Sequence, residues 1–342
     1  MKKIIQIVFF SFFLFLFHSS SYAQVPVEDE NGTSHYKPSI NIFTIYSSED
    51  SSALISLSEI YHLNSDSPFG DEAGSLIIPN ITERGFEKTQ YTLTSGYRLR
   101  FLSHTGISET DSVFIYDYQH NRLVTLAVKD LHVIARLIPY ASPAEAPFPH
   151  YYYMIGFEVN TEVLSEFNGG DVFVYIGTQS PFAQEQLTPL RWNKITSQEF
   201  PATSKAQDER FYSSYPWAVN FSSEGGNTYL SETEEFQYFL QDYLSDGEIR
   251  VRRLLVVEPQ TQEIIIDKIF YESESTSLAP LKGGEGEYNN AFEDESFQWA
   301  GKLFEDKPPV VFGFLWVTFG CPAISFIDPS NENIVIYCDN RH

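Results

Sequence analysis

A run of oxygen-bearing side chains between residues 285 and 295 is the first candidate for chemistry. Glu285, Glu287, Glu293 and Asp294 lie within this short segment. Carboxylate oxygens are the ligands that Ca²⁺ prefers, and proteins outside the cell often bind this ion. The spacing fits no EF-hand loop, and a solvated acidic loop explains the run equally well. Calcium is therefore the one candidate cofactor, with a purely solvated loop as the alternative.

Two groups of aromatic residues are candidates for ligand stacking. Tyr151 and Tyr153 form one group, and Tyr212, Tyr215 and Trp217 form the other. Flat aromatic faces exposed on a β scaffold can stack on the apolar C–H faces of sugar rings. Large aromatic residues are also favoured in strands and supply much of the core. The sequence leaves both interpretations open.

Cys321 and Cys338 are the only cysteines of the chain. An even number of cysteines in an exported protein favours a disulfide. A turn at residues 328–331 and a strand at residues 334–337 predict a hairpin that brings the two sulfurs together. Closing such a loop is worth about 3 kcal/mol in the chain-entropy model. A nucleophilic cysteine assisted by His342 is the alternative.

Three arginines stand close together in a chain that has few basic residues. On a strand, Arg250 and Arg252 share a face, and this pair could bind a carboxylate or sulfate. Arg253 follows directly. The next predicted strand carries Glu263 and Asp267, so cross-strand charge pairing explains the arginines without a ligand.

Established catalytic motifs are missing. The chain contains no zinc-protease helix, nucleophile elbow, Walker loop, dinucleotide fingerprint or Cys-x-x-Cys pair. A glycosidase needs only two carboxylates at a set separation, which a sequence does not reveal. The sequence therefore favours a protein that is not an enzyme, and an exported hydrolase with a carboxylate pair remains the alternative.

Residues 1–23 predict a secretory signal peptide. Lys2 and Lys3 precede an apolar stretch at residues 4–17, and Ser21 and Ala23 supply small residues for cleavage before Gln24. The polar residues that follow end the stretch before the roughly 20 apolar residues that a spanning helix needs. We therefore expect an exported protein, located in the periplasm, on the outer surface or outside the cell.

The remaining chain has the composition of an ordered, acidic protein. Hydrophobic residues make up 42% of the sequence, and removing the two signal lysines takes the formal net charge from −24 to −26. Such a charge repels nucleic acid and anionic membranes. No later stretch reaches 18 consecutive apolar residues, so no transmembrane segment is expected after signal cleavage.

The pattern of apolar residues predicts a mainly β fold. Short stretches rich in aromatic and β-branched residues, separated by turn residues, predict a β-sandwich-like or jelly-roll-like domain over residues 24–200. The strands predicted in this part are residues 90–94, 97–102, 112–118, 123–128, 151–159 and 171–177.

A smaller α+β domain with disulfide-linked C-terminal strands is predicted over residues 205–342. Apolar residues at helical spacing, after a capping box, predict one amphipathic helix at residues 232–244. Strands are expected at 249–257 and 263–271. The boundary is placed at residues 197–210, which lack apolar periodicity, although the proline-rich segment 141–149 is a second candidate.

Together these features lead us to expect an acidic binding or structural protein of the cell envelope or extracellular space. Its expected partner is a glycan or another envelope protein. In the second case, an exposed apolar patch should mark the contact surface.

Overall fold

The computed structural model describes residues 40–47, 52–61, 89–146, 148, 152–160, 162–163, 167, 172–216, 223–283 and 298–339. All of them belong to the unit Ile40–His342. Strands dominate, and the described residues contain only two α-helices. The mainly β fold expected from the sequence is therefore confirmed. None of the described helices is long and apolar enough to cross a bilayer.

The largest sheet has nine strands and draws them from both ends of the chain. Its order is β10-β17-β18-β20-β21-β1-β9-β5-β6. In chain order its strands are β1 Ile42–Phe43, β5 Ser112–Asp117, β6 Arg122–Ala127, β9 Val172–Gly177, β10 Leu187–Leu190, β17 Gln298–Gly301, β18 Val310–Phe312, β20 Ala323–Phe326 and β21 Ile334–Tyr337. Strands β1 and β21 pair in parallel, with Ile42 opposite Ile336.

Three smaller sheets complete the fold. The N-terminal sheet has the order β2-β3-β8-β7-β4, the C-terminal sheet runs from β11 to β15 in order, and β16 and β19 form a two-stranded ribbon. The strands of the N-terminal sheet are β2 Ile45–Ser47, β3 Ser52–Ser56, β4 Gln90–Leu93, β7 Val133–Leu137 and β8 Tyr153–Asn160. The others are β11 Asn193–Ile195, β12 Thr228–Glu232, β13 Gln237–Ser245, β14 Glu248–Val257, β15 Ile264–Tyr271, β16 Thr276–Leu278 and β19 Leu315–Val317.

The nine-stranded sheet curls back on itself. Phe173 in β9 and Phe312 in β18 are four strand steps apart, which would separate them by about 19 Å in a flat sheet. Their ring centroids are only 5.3 Å apart. The ring of Tyr118, directly after β5, also packs edge-on against Phe312. The sheet therefore encloses an aromatic core between its two halves.

Alternating side chains give the curled sheet two further cores. In β5, Val113 and Ile115 face the N-terminal sheet and helix α1 (Gly96–Thr105), whereas Phe114 and Tyr116 face the aromatic core. On the opposite side of the sheet, Val311 of β18 packs against the C-terminal sheet. Because successive residues of a strand point to opposite faces, each strand buried on both faces serves two cores.

The strand predicted at residues 97–102 is wrong, because this segment forms helix α1, Gly96–Thr105. Apolar and basic residues alternate at the start of this segment, which imitates the period of a half-buried strand. In the helix, Leu99 is 64% exposed while Phe101 is buried, so this alternation does not follow the buried face. Gly106 adopts the left-handed conformation that ends the helix.

The prediction of an amphipathic helix at residues 232–244 is wrong. Strand β12 ends at Glu232, and most of the remaining segment belongs to strand β13. Tyr238 and Leu240 enter the core beside the nine-stranded sheet, and Phe239 enters a cluster on the opposite face. A strand buried on both faces carries consecutive apolar residues, and these coincided with the stripe of a helix.

Helix α2, Lys205–Ser214, begins inside the predicted boundary segment 197–210 and packs on the C-terminal sheet through Phe211. The nine-stranded sheet joins strands from both sides of this segment. Packed sheets agree with the expected β-sandwich architecture. That residues 24–200 and 205–342 fold as separate domains stays an untested prediction.

We predict that Gly156→Ala destabilises the fold where β3 and β8 approach closely. A Cβ at this position would lie 1.8 Å from the carbonyl oxygen of Ile55. We expect the free energy of unfolding, measured with urea, to fall by about 2 kcal/mol or more. Gly96→Ala is the matched control, because its Cβ would meet no atom within 4 Å. Equal stability of the two variants would contradict the close approach.

Candidate functional site

A cleft of about 920 Å³ lies where the nine-stranded sheet meets the C-terminal sheet and the β16–β19 ribbon. Its walls come from distant parts of the sequence, including Thr44 near β1, Phe173 in β9 and Phe270 in β15. Phe312 supplies a link to the aromatic core beneath it. A concave, mostly apolar space of this size is typical of a small-molecule site.

Aromatic rings form much of the cleft. Phe270 and Phe314 stack with their centroids 4.4 Å apart and their planes 4° from parallel. Trp316 on the ribbon and Phe319 on the following loop also line the cleft, and these side chains are 42% and 50% exposed. Large exposed aromatic side chains beside a cleft are available to contact a ligand.

Lys268 is the only charged residue among the 26 described residues that line the cleft. It lies in β15, and its Nζ donates a hydrogen bond to the Oγ of Ser325 in β20. The amine also lies 5.8 Å from the centroid of the Phe270 ring. Burial lowers the pKa of this amine from its usual 10.5, because the charged form loses water.

Asp267, the residue before Lys268, does not line the cleft. Asp267 belongs to the opposite face of β15, where its two carboxylate oxygens accept hydrogen bonds from Arg253 at 2.8 and 2.7 Å. Among the described residues, no carboxylate forms an ion pair with Lys268. The lysine therefore enters the cleft with a hydroxyl partner and without a counter-charge from the described chain.

The predicted disulfide between Cys321 and Cys338 is confirmed, with Cα atoms 5.4 Å apart. It joins the residues just before β20 and just after β21, which pair as the expected hairpin. Cys321 also lines the cleft. The Glu59 carboxylate accepts hydrogen bonds from the backbone N–H groups of Cys338 and Asp339. The edge of the cleft is therefore tied covalently and by hydrogen bonds.

All three arginines are paired with carboxylates, but only Arg253 uses one of the two acids expected from the sequence, Asp267. Arg252 bonds to Asp242 at 3.1 Å inside the C-terminal sheet, and Arg253 bonds to Asp267. Arg250 pairs with Glu272 at 2.8 Å on the surface. Cross-strand and neighbouring acids thus occupy the guanidinium groups that could have bound an anion.

The predicted stacking residues do not line the cleft where the structure describes them. Tyr153 is fully buried and packs edge-on against Tyr91. Tyr212 is 40% exposed on α2, and Tyr215 packs near Phe211 just after that helix. Tyr151 and Trp217 lie outside the described residues, so their predicted role is unchanged.

The predicted calcium ligands Glu285, Glu287, Glu293 and Asp294 also lie outside the described residues. Within the described part of the chain, one group of potential metal ligands occurs, formed by Glu59, Cys321 and Cys338. Both of its sulfurs belong to the disulfide, and disulfide sulfurs are not the thiolates that bind metals.

The cleft residues were missed by the sequence analysis for a physical reason. Strand β15 was predicted, and its alternation places Lys268 on the same face as Ile266 and Phe270. The opposite face carries Asp267 between apolar neighbours, so both faces look alike. Only the packing of β20 and the ribbon against β15 distinguishes a lysine in a cleft from one at the surface.

Comparisons with protein-family models, with curated proteins and with solved structures find no match for this chain.

The lowered pKa of Lys268 predicts a specific pH dependence of stability. Between the folded-state pKa and the usual 10.5, the unfolded chain binds more protons than the folded chain. The free energy of unfolding should therefore rise with pH across this window. We expect the difference between the native protein and Lys268→Met, measured with urea, to shift in favour of the native protein as pH rises. Parallel curves would contradict a buried amine.

Removal of the disulfide should lower stability without unfolding the sheets. The bridge closes a loop with a sequence separation of 17. We expect Cys321→Ser combined with Cys338→Ser to reduce the free energy of unfolding by about 3 kcal/mol. Urea titration of native and double-variant protein measures this, and the native protein under reducing conditions should match the variant. An unchanged midpoint would contradict a stabilising bridge.

Proposed function

We propose that this chain is an exported binding protein that takes a largely apolar ligand into the cleft. The observation that carries the proposal is the cleft of about 920 Å³ with the exposed rings of Trp316 and Phe319 beside it. Burial of apolar ligand surface against such rings is favourable at about 25 cal/mol per Å². The disulfide is compatible with an oxidising compartment.

The lining supports an apolar ligand better than an ordinary glycan. Besides tyrosine and tryptophan, polar side chains come from only five of the described lining residues, which are Thr44, Gln119, Lys268, Thr276 and Ser325. A sugar presents many hydroxyl groups, and each one that is buried without a hydrogen bond costs free energy. A glycan stacked on Trp316 and Phe319 remains the alternative.

The cleft supplies no observation in favour of a hydrolase with a carboxylate pair. Such an enzyme needs two acidic side chains flanking the bond that it cleaves. None of the described residues that line the cleft is Asp or Glu. We therefore propose binding without catalysis at this place.

The test is ligand binding to the mature chain and to variants of the exposed rings. We expect naphthalene-based and long-chain probes to bind with micromolar or better affinity. Trp316→Ala and Phe319→Ala should each weaken binding at least about fivefold, since truncating an anchoring aromatic residue commonly costs 1 kcal/mol or more. Calorimetry and the change in tryptophan fluorescence measure this.

Tyr140→Ala is the matched control, because Tyr140 is 72% exposed and does not line the cleft. Tyr212→Ala tests the stacking residue that the sequence suggested. A glycan array and a hydrolysis screen run beside these measurements. Equal losses in all four variants, or glycan binding in place of apolar probes, would contradict the proposal.

A further inference from the structure

We infer that the ligand carries a single carboxylate, which pairs with the amine of Lys268 while the apolar body of the ligand lies against the aromatic rings. This inference rests on the proposed function and names the chemical class of the ligand. The occupant is a chain-bearing or ring-bearing organic acid. Its charge supplies the counter-ion that the described chain does not provide at this position.

Two other buried cations in this protein are paired with carboxylates. Arg252 and Arg253 each contact a carboxylate within 3.1 Å. Lys268 is also partly buried, yet its hydrogen-bond partner is the hydroxyl of Ser325. Placing a charge in an apolar environment is costly unless an opposite charge accompanies it. An anionic ligand group offsets part of this cost by its attraction to the ammonium group.

The lining of the cleft differs in charge from the chain as a whole. Asp and Glu make up 46 of the 342 residues, but none of the described lining residues is acidic. Asp267, next to Lys268 in the chain, accepts a hydrogen bond from Arg253, and Glu59 accepts one from the backbone N–H of Cys338 beside the disulfide. Charges on the outer surface lie in water, where salt screens them over about 8 Å. Among the described residues, the lining of the cleft therefore does not repel an anion as the acidic surface does.

The amine of Lys268 lies beside an aromatic ring and donates to one hydroxyl group. An ammonium group has three hydrogen-bond donors, and one of them is directed at Ser325. Two donors remain for a carboxylate. Phe270 lies beside the amine and stacks on Phe314, so a ligand held at Lys268 meets aromatic surface at once. One cation with one aromatic wall suits a monoanion attached to an apolar body.

The experiment compares probes that differ only in charge. Dodecanoate is paired with dodecanol, and 2-naphthoate with 2-naphthol, in calorimetric titrations of the mature chain at one ionic strength. We expect each carboxylate to bind about tenfold more tightly than its alcohol, as charge-assisted hydrogen bonds do. Lys268→Met should abolish this preference, and Lys268→Arg should retain part of it.

Lys205→Met is the matched control, because Lys205 lies on α2 with a side chain that is 91% exposed. It removes the same charge from the chain and should leave the tenfold preference unchanged. Thermal melting of every variant verifies that it is folded. A preference that survives in Lys268→Met, or is lost in Lys205→Met, overturns the assignment to Lys268.

Two outcomes separate this inference from the proposed function. If acids and alcohols bind equally well to native protein, and Trp316→Ala weakens both, the inference fails while the binding cleft stands. If neither acids nor alcohols bind, the binding cleft itself fails and the inference fails with it.

Discussion

The contact between β9 and β18 sets how strongly the nine-stranded sheet curves. Phe173 and Phe312 meet although four strand steps separate them, so the nine-stranded sheet must coil tightly. Coiling buries both faces of the central strands and brings the N-terminal half of the sheet close to β15 and the ribbon. The cleft lies in the angle that this coiling leaves between the sheets. The coiling of the sheet thus accounts both for the packed aromatic core and for the open cleft beside it.

Arg252 is paired with a carboxylate, whereas Lys268 is paired with a hydroxyl group. This difference follows from the position of each residue's strand in the C-terminal sheet. Arg252 lies within the C-terminal sheet, where the adjacent strand can place Asp242 opposite it. Lys268 occupies β15, the last strand of that sheet, and faces β20 and the ribbon across a gap. A cation in the middle of a sheet is paired by its neighbours. At the last strand, the chain supplies one partner on one side and leaves space on the other.

Local patterns predicted much of the secondary structure but little of the site. Strands β5, β9, β14 and β15 and the C-terminal hairpin followed from β-branched residues, turn residues and the cysteine pair. The errors at α1 and β13 share a cause, since burial of a segment depends on partners that are remote in sequence. Around Leu99, alternating apolar and basic residues resembled a strand, although the segment is a helix in which Leu99 is exposed. Around Phe239, consecutive apolar residues resembled a helix, although the segment is a strand buried on both faces. The cleft depends on how β20 and the ribbon approach β15, and no local pattern records that approach.

The parallel pairing of β1 with β21 places constraints on the order of folding. Ile42 pairs with Ile336, so the first described strand obtains this neighbour only after nearly the whole chain has been made available. Contacts so distant in sequence close slowly, because a long loop must be ordered first. Until β21 has formed, the edge of β1 that β21 later covers has unpaired backbone N–H and C=O groups. Such an edge is a template for pairing with another chain, so the late arrival of β21 makes aggregation during folding a specific hazard of this topology.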